Sequence, residues 1–180
     1  MKLETAFTMD TSSIKFGKGV TKEIGSDFKN MGVKRLMICT DARVAKLATM
    51  EVVEASLKDV GLEYEIYSGV SVEPTDVSFR EAIDFAKKGN FDGYLGVGGG
   101  SSMDTVKAAN LYATHPPKDF LDYVNPPIGK GLPVPGPIKP MICIPTTAGT
   151  GSETTGVTIF DLLSMEAKTG IAHRSLRPLM

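Results

Sequence analysis

Gly98-Gly99-Gly100-Ser101-Ser102-Met103-Asp104 is the stretch that decides the fold of this 180-residue chain. It directly follows the apolar run at residues 94–97, which suits a strand buried on both faces of a parallel sheet. Glycines let the backbone turn sharply and approach a ligand closely, and a helix that begins there directs free N–H groups at a bound phosphate. The stretch, here called the first turn, therefore predicts a strand, a tight turn and a helix with a ligand at its amino end.

A second turn, Pro145-Thr146-Thr147-Ala148-Gly149-Thr150-Gly151-Ser152-Glu153, follows the apolar run at residues 141–144. The hydroxyls of Thr146, Thr147 and Thr150 are neutral donors and acceptors that suit ribose, amide and phosphate groups alike. Ligands bind open α/β sheets in the crevice outside the carboxyl ends of the strands, so two such turns predict one shared crevice. The alternative for each turn is a purely structural role without a ligand.

Alternating helical and strand patterns predict a doubly wound α/β fold, that is, a Rossmann-like parallel sheet with flanking helices and right-handed crossovers. Predicted helices cover residues 20–31, 50–60, 77–88 and 101–112. Predicted strands cover residues 35–40, 63–67, 93–97 and 141–144. The first 16 residues resemble a hairpin added at a sheet edge, and the proline-rich residues 116–140 predict an ordered surface loop.

Composition narrows the classes of partner. The net charge of −1 and the 23% charged residues give no reason to expect nucleic acid or an anionic membrane surface as a partner. No apolar stretch approaches the roughly 18–20 residues needed to span a bilayer, and the first residues lack the features of a signal or transit peptide. We therefore expect a soluble intracellular protein, with a mature chain that has lost its presequence as the alternative. Cys39 and Cys143 lie in strand-like runs, which favours a reducing compartment.

Two aspartates and the two histidines are candidates for ligand contacts. Asp41 ends a predicted strand, where its carboxylate would bind an adenosine ribose and repel a 2′-phosphate, favouring NAD over NADP; equally, it would cap the next segment. Asp104 is expected to interact with the helix dipole rather than with a phosphate. His115 and His173 have no carboxylate at ligand-like spacing, so the residues predict no metal site in this chain.

Together, these segments resemble the N-terminal domain of the iron-containing (group III) alcohol dehydrogenase family, and the resemblance covers nearly the whole chain. The matching segments are Ile14-Lys15-Phe16-Gly17, Cys39-Thr40-Asp41, Val72-Glu73-Pro74-Thr75 and the two turns. Within the family the chain is most similar to the hydroxyacid-oxoacid transhydrogenase subgroup, in segments such as Asp119-Phe120-Leu121-Asp122-Tyr123-Val124 and Pro127-Ile128-Gly129-Lys130-Gly131.

The resemblance implies a function and a set of roles. The subgroup oxidises 4-hydroxybutyrate to succinic semialdehyde and reduces 2-oxoglutarate to 2-hydroxyglutarate, with NAD as a tightly held hydride shuttle. By position, Gly98, Gly99, Gly100 and Ser101 would hold the pyrophosphate, with Thr146, Thr147 and Thr150 lining the nucleotide. Asp41 matches the acid that selects NAD. Lys168 matches a lysine at the nicotinamide-side ribose, with a solvated lysine as the alternative.

The chain also departs from the family. Complete members continue into an all-helical domain whose one Asp and three His bind a divalent metal, iron or zinc, and none of these positions occurs in this sequence. We therefore expect residues 1–180 to be one nucleotide-binding domain, truncated after Met180, that is inactive alone.

At full length the resemblance implies a homo-oligomer acting on a small hydroxyacid or alcohol. It would lie in the mitochondrial matrix of an animal and otherwise in the cytoplasm. The alternatives are a general NAD-dependent iron-containing alcohol dehydrogenase, a truncated non-catalytic isoform, or the chemistry of dehydroquinate synthase and glycerol dehydrogenase relatives.

Overall fold

The computed structural model describes residues 11–180 and has a four-stranded parallel sheet at its centre. Its strand order is β2-β1-β3-β4. The strands are β1 (Arg35–Cys39), β2 (Glu63–Tyr67), β3 (Gly93–Gly98) and β4 (Met141–Pro145). All six residues of β3 are buried, as expected for a central strand covered on both faces. The predicted Rossmann-like parallel sheet is confirmed.

Helices cover both faces of this sheet. They are α1 (Ile24–Asn30), α2 (Ala48–Asp59), α3 (Asp76–Gly89) and α4 (Gly100–Thr114), with a 3-10 turn at Val20–Glu23 before α1. Thr75 begins α3 with a capping box, in which its side chain and that of Ser78 each accept a hydrogen bond from the other's backbone N–H. Within residues 11–180, no helix has the length and apolar character needed to cross a membrane.

Strand alternation divides the core into two layers. On β1, Leu36 and Ile38 face α1 and α2, whereas Met37 and Cys39 face α3 and α4. Helix α4 packs directly on the sheet, because a Cβ at Gly96 would lie 2.8 Å from Val106 Cγ1. This close contact fixes the amino end of α4 relative to the strand that precedes it.

An antiparallel hairpin, β5 (Val157–Leu162) and β6 (Ala167–Ala172), was not predicted from the sequence. It forms a third core cluster, in which Phe160 packs against Phe79 of α3 with ring centroids 5.2 Å apart. The edge hairpin predicted for residues 1–16 falls largely outside the described residues, and residues 11–16 have no regular secondary structure. The loop at residues 116–140 is irregular except for a 3-10 turn at Phe120–Asp122.

The free edge of β4 is covered by residues close to the two ends of the described chain. Leu179 N donates to Met141 O at 2.8 Å, and Cys143 N donates to Met180 O at 2.9 Å. Ser13 N in turn donates to Leu179 O at 2.9 Å. These bonds satisfy backbone groups that an edge strand would otherwise expose.

Candidate functional site

The carboxyl ends of β1, β3 and β4 meet at one edge of the sheet, and each carries a predicted site residue or turn. Thr146 N, at the start of the second turn, donates to Gly98 O at 2.9 Å. Asp41 follows β1, and its Oδ2 lies 3.9 Å from the position that a Cβ on Gly98 would occupy. The structure therefore brings Asp41 and both turns together.

The glycines of the first turn lie so close to the second turn that a side chain on them would crowd it. Gly98 has φ +149°, a conformation that residues with a side chain rarely adopt. A Cβ on Gly99 would lie 3.2 Å from Thr147 Oγ1, and one on Gly100 would lie 3.2 Å from Thr150 Cγ2. Gly99 is the N-cap of α4 and provides no side-chain cap, so the amino end of a 15-residue helix opens into this space.

The second turn is exposed over residues 145–150 and places Thr147 Oγ1 opposite Gly99 and the methyl group of Thr150 opposite Gly100. Thr146, Thr147 and Thr150 are all exposed, whereas Ser152 is buried. Thr150 Oγ1 accepts a hydrogen bond from Ser152 N at 3.3 Å, which shapes the turn from within. Gly149 and Gly151 have φ of +120° and +68°, which allows the reversals between these residues. The second turn therefore lies against the first turn through Thr147 and Thr150.

Asp41 combines the two roles that its position in the sequence left open. Its Oδ1 accepts hydrogen bonds from Arg43 N at 2.8 Å and Val44 N at 3.0 Å, which stabilises the segment after β1. Its Oδ2 lies beside Gly98. One oxygen therefore holds the local backbone while the other lies beside the first turn.

Lys168 lies on β6, opposite Asp161 of β5. Its Nζ is 3.0 Å from Asp161 Oδ1 across the hairpin, and this hydrogen bond raises the pKa of the lysine. Asp161 N donates to Pro74 O at 2.8 Å, which places the pair beside the segment that follows β2. Among the described residues, the polar contacts of Lys168 do not reach either turn.

A buried charged pair on α4, behind the turns, was not predicted from the sequence. Asp104 lies beyond the first turn of α4, and its Oδ2 accepts a hydrogen bond from Ile159 N of β5 at 3.0 Å. Lys107 is fully buried, with its Nζ 3.9 Å from Asp104 Oδ1. Burial raises the pKa of Asp104 and lowers the pKa of Lys107, while the attraction between the two charges opposes both shifts. Their three-residue spacing on a helix was the available signal.

Both histidine side chains form hydrogen bonds with backbone groups, and both cysteine side chains are buried. His115 Nε2 lies 2.9 Å from Pro137 O, and His173 Nδ1 accepts a hydrogen bond from Ser175 N. Burial raises the pKa of Cys143 to about 12, so its thiol stays protonated at neutral pH. Within residues 11–180, no group of three or more His, Cys, Asp or Glu side chains is arranged to hold a metal ion.

Comparison with known proteins identifies the family. The sequence model of the family described as "Iron-containing alcohol dehydrogenase" matches residues 11–180. This chain belongs to the iron-containing alcohol dehydrogenase family. The family resemblance inferred from the two turns is thereby confirmed.

Curated relatives within this family share more than half of the aligned residues. The mitochondrial hydroxyacid-oxoacid transhydrogenase of Mus musculus is 56% identical over 175 residues, which cover 97% of this chain and 38% of the mouse protein. A probable mitochondrial hydroxyacid-oxoacid transhydrogenase of Dictyostelium discoideum is 51% identical, with 97% of this chain and 34% of that protein covered. The chain therefore spans well under half the length of these relatives.

Solved structures of family members have the same fold. The NADH-dependent butanol dehydrogenase A of Thermotoga maritima superposes with a TM-score of 0.86 at 27% identity, covering 96% of this chain and 42% of that one. An alcohol dehydrogenase from Oenococcus oeni gives a TM-score of 0.84 at 30% identity, covering 97% and 45%.

Proposed function

We propose that this chain is the nucleotide-binding part of a hydroxyacid-oxoacid transhydrogenase. The observation that carries the proposal is the cradle between the two turns, where a Cβ on Gly99 or Gly100 would crowd a threonine of the second turn. Such a passage admits a ligand's phosphates against bare backbone, as glycine-rich strand-to-helix turns do. The mouse and Dictyostelium relatives, which bear the transhydrogenase name, support the choice within the family.

The dinucleotide would lie across the edge where β1, β3 and β4 end. Gly98, Gly99, Gly100 and Ser101 would bind the pyrophosphate, because the first N–H groups of α4 and the positive end of its dipole point there. Thr146, Thr147 and Thr150 would donate to or accept from the nucleotide on the opposite side. Bound NAD would supply the site that accepts a hydride from one substrate and returns it to the other.

Asp41 would select NAD over NADP. Its Oδ2 would accept a hydrogen bond from an adenosine ribose hydroxyl, and its negative charge would repel a 2′-phosphate. Because Oδ1 is held by the amides of Arg43 and Val44, the carboxylate is fixed in orientation before a ligand arrives. Lys168 would contact the nicotinamide-side ribose, which requires its side chain to extend from the pairing with Asp161.

The reaction would transfer a hydride from 4-hydroxybutyrate to 2-oxoglutarate and yield succinic semialdehyde and 2-hydroxyglutarate. The family name implies iron, but the described residues do not offer a ligand set that fits a metal ion. We therefore assign no step of the reaction to a metal on these residues. The residues for substrate and metal would come from the part of the relatives that this chain does not span.

The cellular compartment of the protein would depend on the kind of organism it comes from. Both relatives described above are named as mitochondrial proteins. We propose the mitochondrial matrix for a protein of animal origin and, because the Dictyostelium relative is also named mitochondrial, the cytoplasm for a protein of bacterial origin.

A labelled hydride-transfer assay tests the proposed function. The protein at its full natural length is incubated with 2-oxoglutarate and 4-hydroxybutyrate deuterated at the carbinol carbon, without added NAD. We expect deuterium at the carbinol carbon of 2-hydroxyglutarate, detected by mass spectrometry, and a Gly99→Val variant as the negative control. Absence of transfer with a correctly folded wild-type protein would contradict the proposal.

The second candidate is a general NAD-dependent alcohol dehydrogenase, which the likeness to the Thermotoga butanol dehydrogenase favours. In that case no transfer occurs between the two acids, and simple alcohols reduce added NAD. The same protein preparation therefore distinguishes the two candidates.

A further inference from the structure

Hydrogen bonds hold the chain on both sides of the second turn: a backbone bond where it begins, and side-chain bonds from α4 after it ends. At its entrance, Thr146 N donates to Gly98 O, a backbone bond that continues the ladder between β4 and β3. At its exit, residues 157–159 begin β5 and lie against α4. Between these two points, residues 146–150 are exposed, and further hydrogen bonds reach Glu153 O from Ser12 Oγ and Gly156 O from His173 N.

Lys107 makes the first contact at the exit. Its Nζ donates to Val157 O at 2.8 Å, and the side chain is completely buried. Glu153, the last residue of the second turn, lies near enough for its charge to raise the pKa of this lysine against the effect of burial. The ammonium group therefore contacts the backbone at the exit, and the negative charge of Glu153 raises its pKa.

Asp104 makes two further contacts at the exit. Its Oδ2 accepts from Ile159 N at 3.0 Å, and its backbone O accepts from Thr158 Oγ1 at 2.8 Å. Asp104 stands one helical turn before Lys107 on α4, the helix that the first turn opens. The same short stretch of helix thus follows the first turn and forms hydrogen bonds with residues 157–159, which follow the second turn.

A buried ion pair is a poor way to gain stability. Removing two charges from water costs more than their attraction commonly returns, and well-packed apolar residues often serve stability as well or better. Helix α4 is otherwise buried from Ser102 to Tyr112, so apolar side chains would suit positions 104 and 107 if packing were the sole requirement. Apolar side chains, however, cannot form hydrogen bonds with the backbone of residues 157 and 159 and so cannot hold it in one place.

We propose that Lys107 and Asp104 are positioning residues for the nucleotide site, which hold the exit of the second turn against α4 and thereby keep its hydroxyls opposite the first turn. The inference rests on the proposed function for the identity of the ligand. Neither residue touches the ligand. Their effect passes through the backbone at residues 157–159.

The test compares the binding of AMP with the binding of NAD, which would contact more of the site. AMP would need Asp41 and the first turn, whereas NAD would also need the second turn. We expect Lys107→Met to raise the Kd for NAD about tenfold, which corresponds to about 1.4 kcal/mol, and to leave the Kd for AMP within about twofold. Lys58→Met is the matched control, because it makes the same change at an exposed lysine of α2 and should alter neither Kd.

The double variant Asp104→Asn/Lys107→Met guards against misfolding, since it leaves no lone charge behind from the pair. It should show the same selective loss of NAD affinity. Hydrogen–deuterium exchange provides a readout without a ligand: the amides of residues 146–156 should exchange faster in both variants, while those of α1 are unchanged.

The outcomes separate this inference from the proposed function. If wild-type protein binds neither NAD nor AMP while the exchange of residues 146–156 still rises in the variants, the proposed function fails and the positioning role stands. Equal losses for NAD and AMP, unchanged NAD affinity, or unchanged exchange of residues 146–156 in a folded variant would each overturn the positioning role.

Discussion

Replacing Asp41 with asparagine should change cofactor preference without weakening the fold. The substitution keeps the shape of the side chain, so Oδ1 still accepts from the amides of Arg43 and Val44 and the local backbone is retained. The oxygen beside Gly98 becomes an NH2 group and loses its charge. A hydrogen bond to a charged group contributes about 1.5–3 kcal/mol. We therefore expect a rise of about tenfold to a hundredfold in the Kd for NAD.

The loss of negative charge should also make NADP a better ligand. Isothermal titration calorimetry with NAD and NADP on wild type and Asp41→Asn measures both effects, and thermal unfolding measures stability. As the control, Asp41→Ala removes both carboxylate oxygens and should lower the free energy of unfolding as well, by about 0.5–2 kcal/mol for the lost cap. Equal affinity of the wild type for NAD and NADP, or an unchanged preference in Asp41→Asn, would refute this role of Asp41.

The remaining predictions concern the cradle, the core and the pH dependence of stability. Gly99→Val should abolish NAD binding in calorimetry while circular dichroism stays unchanged, because its side chain would fill the space beside Thr147; retained binding would contradict the cradle. Leu95→Ala should lower the free energy of unfolding by about 2–5 kcal/mol in urea titrations, since Leu95 is completely buried; a loss below about 1 kcal/mol would contradict its central place. Burial raises the pKa of Tyr67 to about 12 from its usual 10.0, so the unfolded chain loses this proton first and stability falls as the pH rises through that window. Tyr67→Phe should flatten that decline, and an equal slope in both proteins would argue against it.

The parallel sheet could be predicted from the sequence because buried strands are unbroken apolar runs. The run at residues 94–97 and the glycines after it fix both the strand and the start of α4. Asp41 could be placed at a strand end for the same reason. The division of labour between its two oxygens depends on side-chain orientation, which no sequence pattern encodes.

The β5–β6 hairpin could not be predicted, because its two strands bury few residues of their own. Phe160 and Ile171 are buried in a cluster that includes Phe79 of α3 and Phe120 of the proline-rich loop. That environment comes from residues far away in the chain. Without it, the polar residues between the apolar ones gave no clear strand pattern.

The buried pair was missed for a related reason. A lysine three residues after an aspartate on a helix is usually a solvated surface pair. Lys107 differs because β5 covers it, and β5 was itself unpredicted. The hydrogen bond from Ile159 N to Asp104 Oδ2 could not be predicted for the same reason.

Titration of the ¹⁵N-labelled protein with NAD, followed by ¹H–¹⁵N correlation spectra, would show directly which residues bind the nucleotide. We expect the largest shift changes on the amides of Gly99 to Ser101, on those of residues 146–150 and on Asp41. Shift changes confined to other parts of the chain, or none at millimolar NAD, would contradict the assignment of these two turns as a nucleotide cradle.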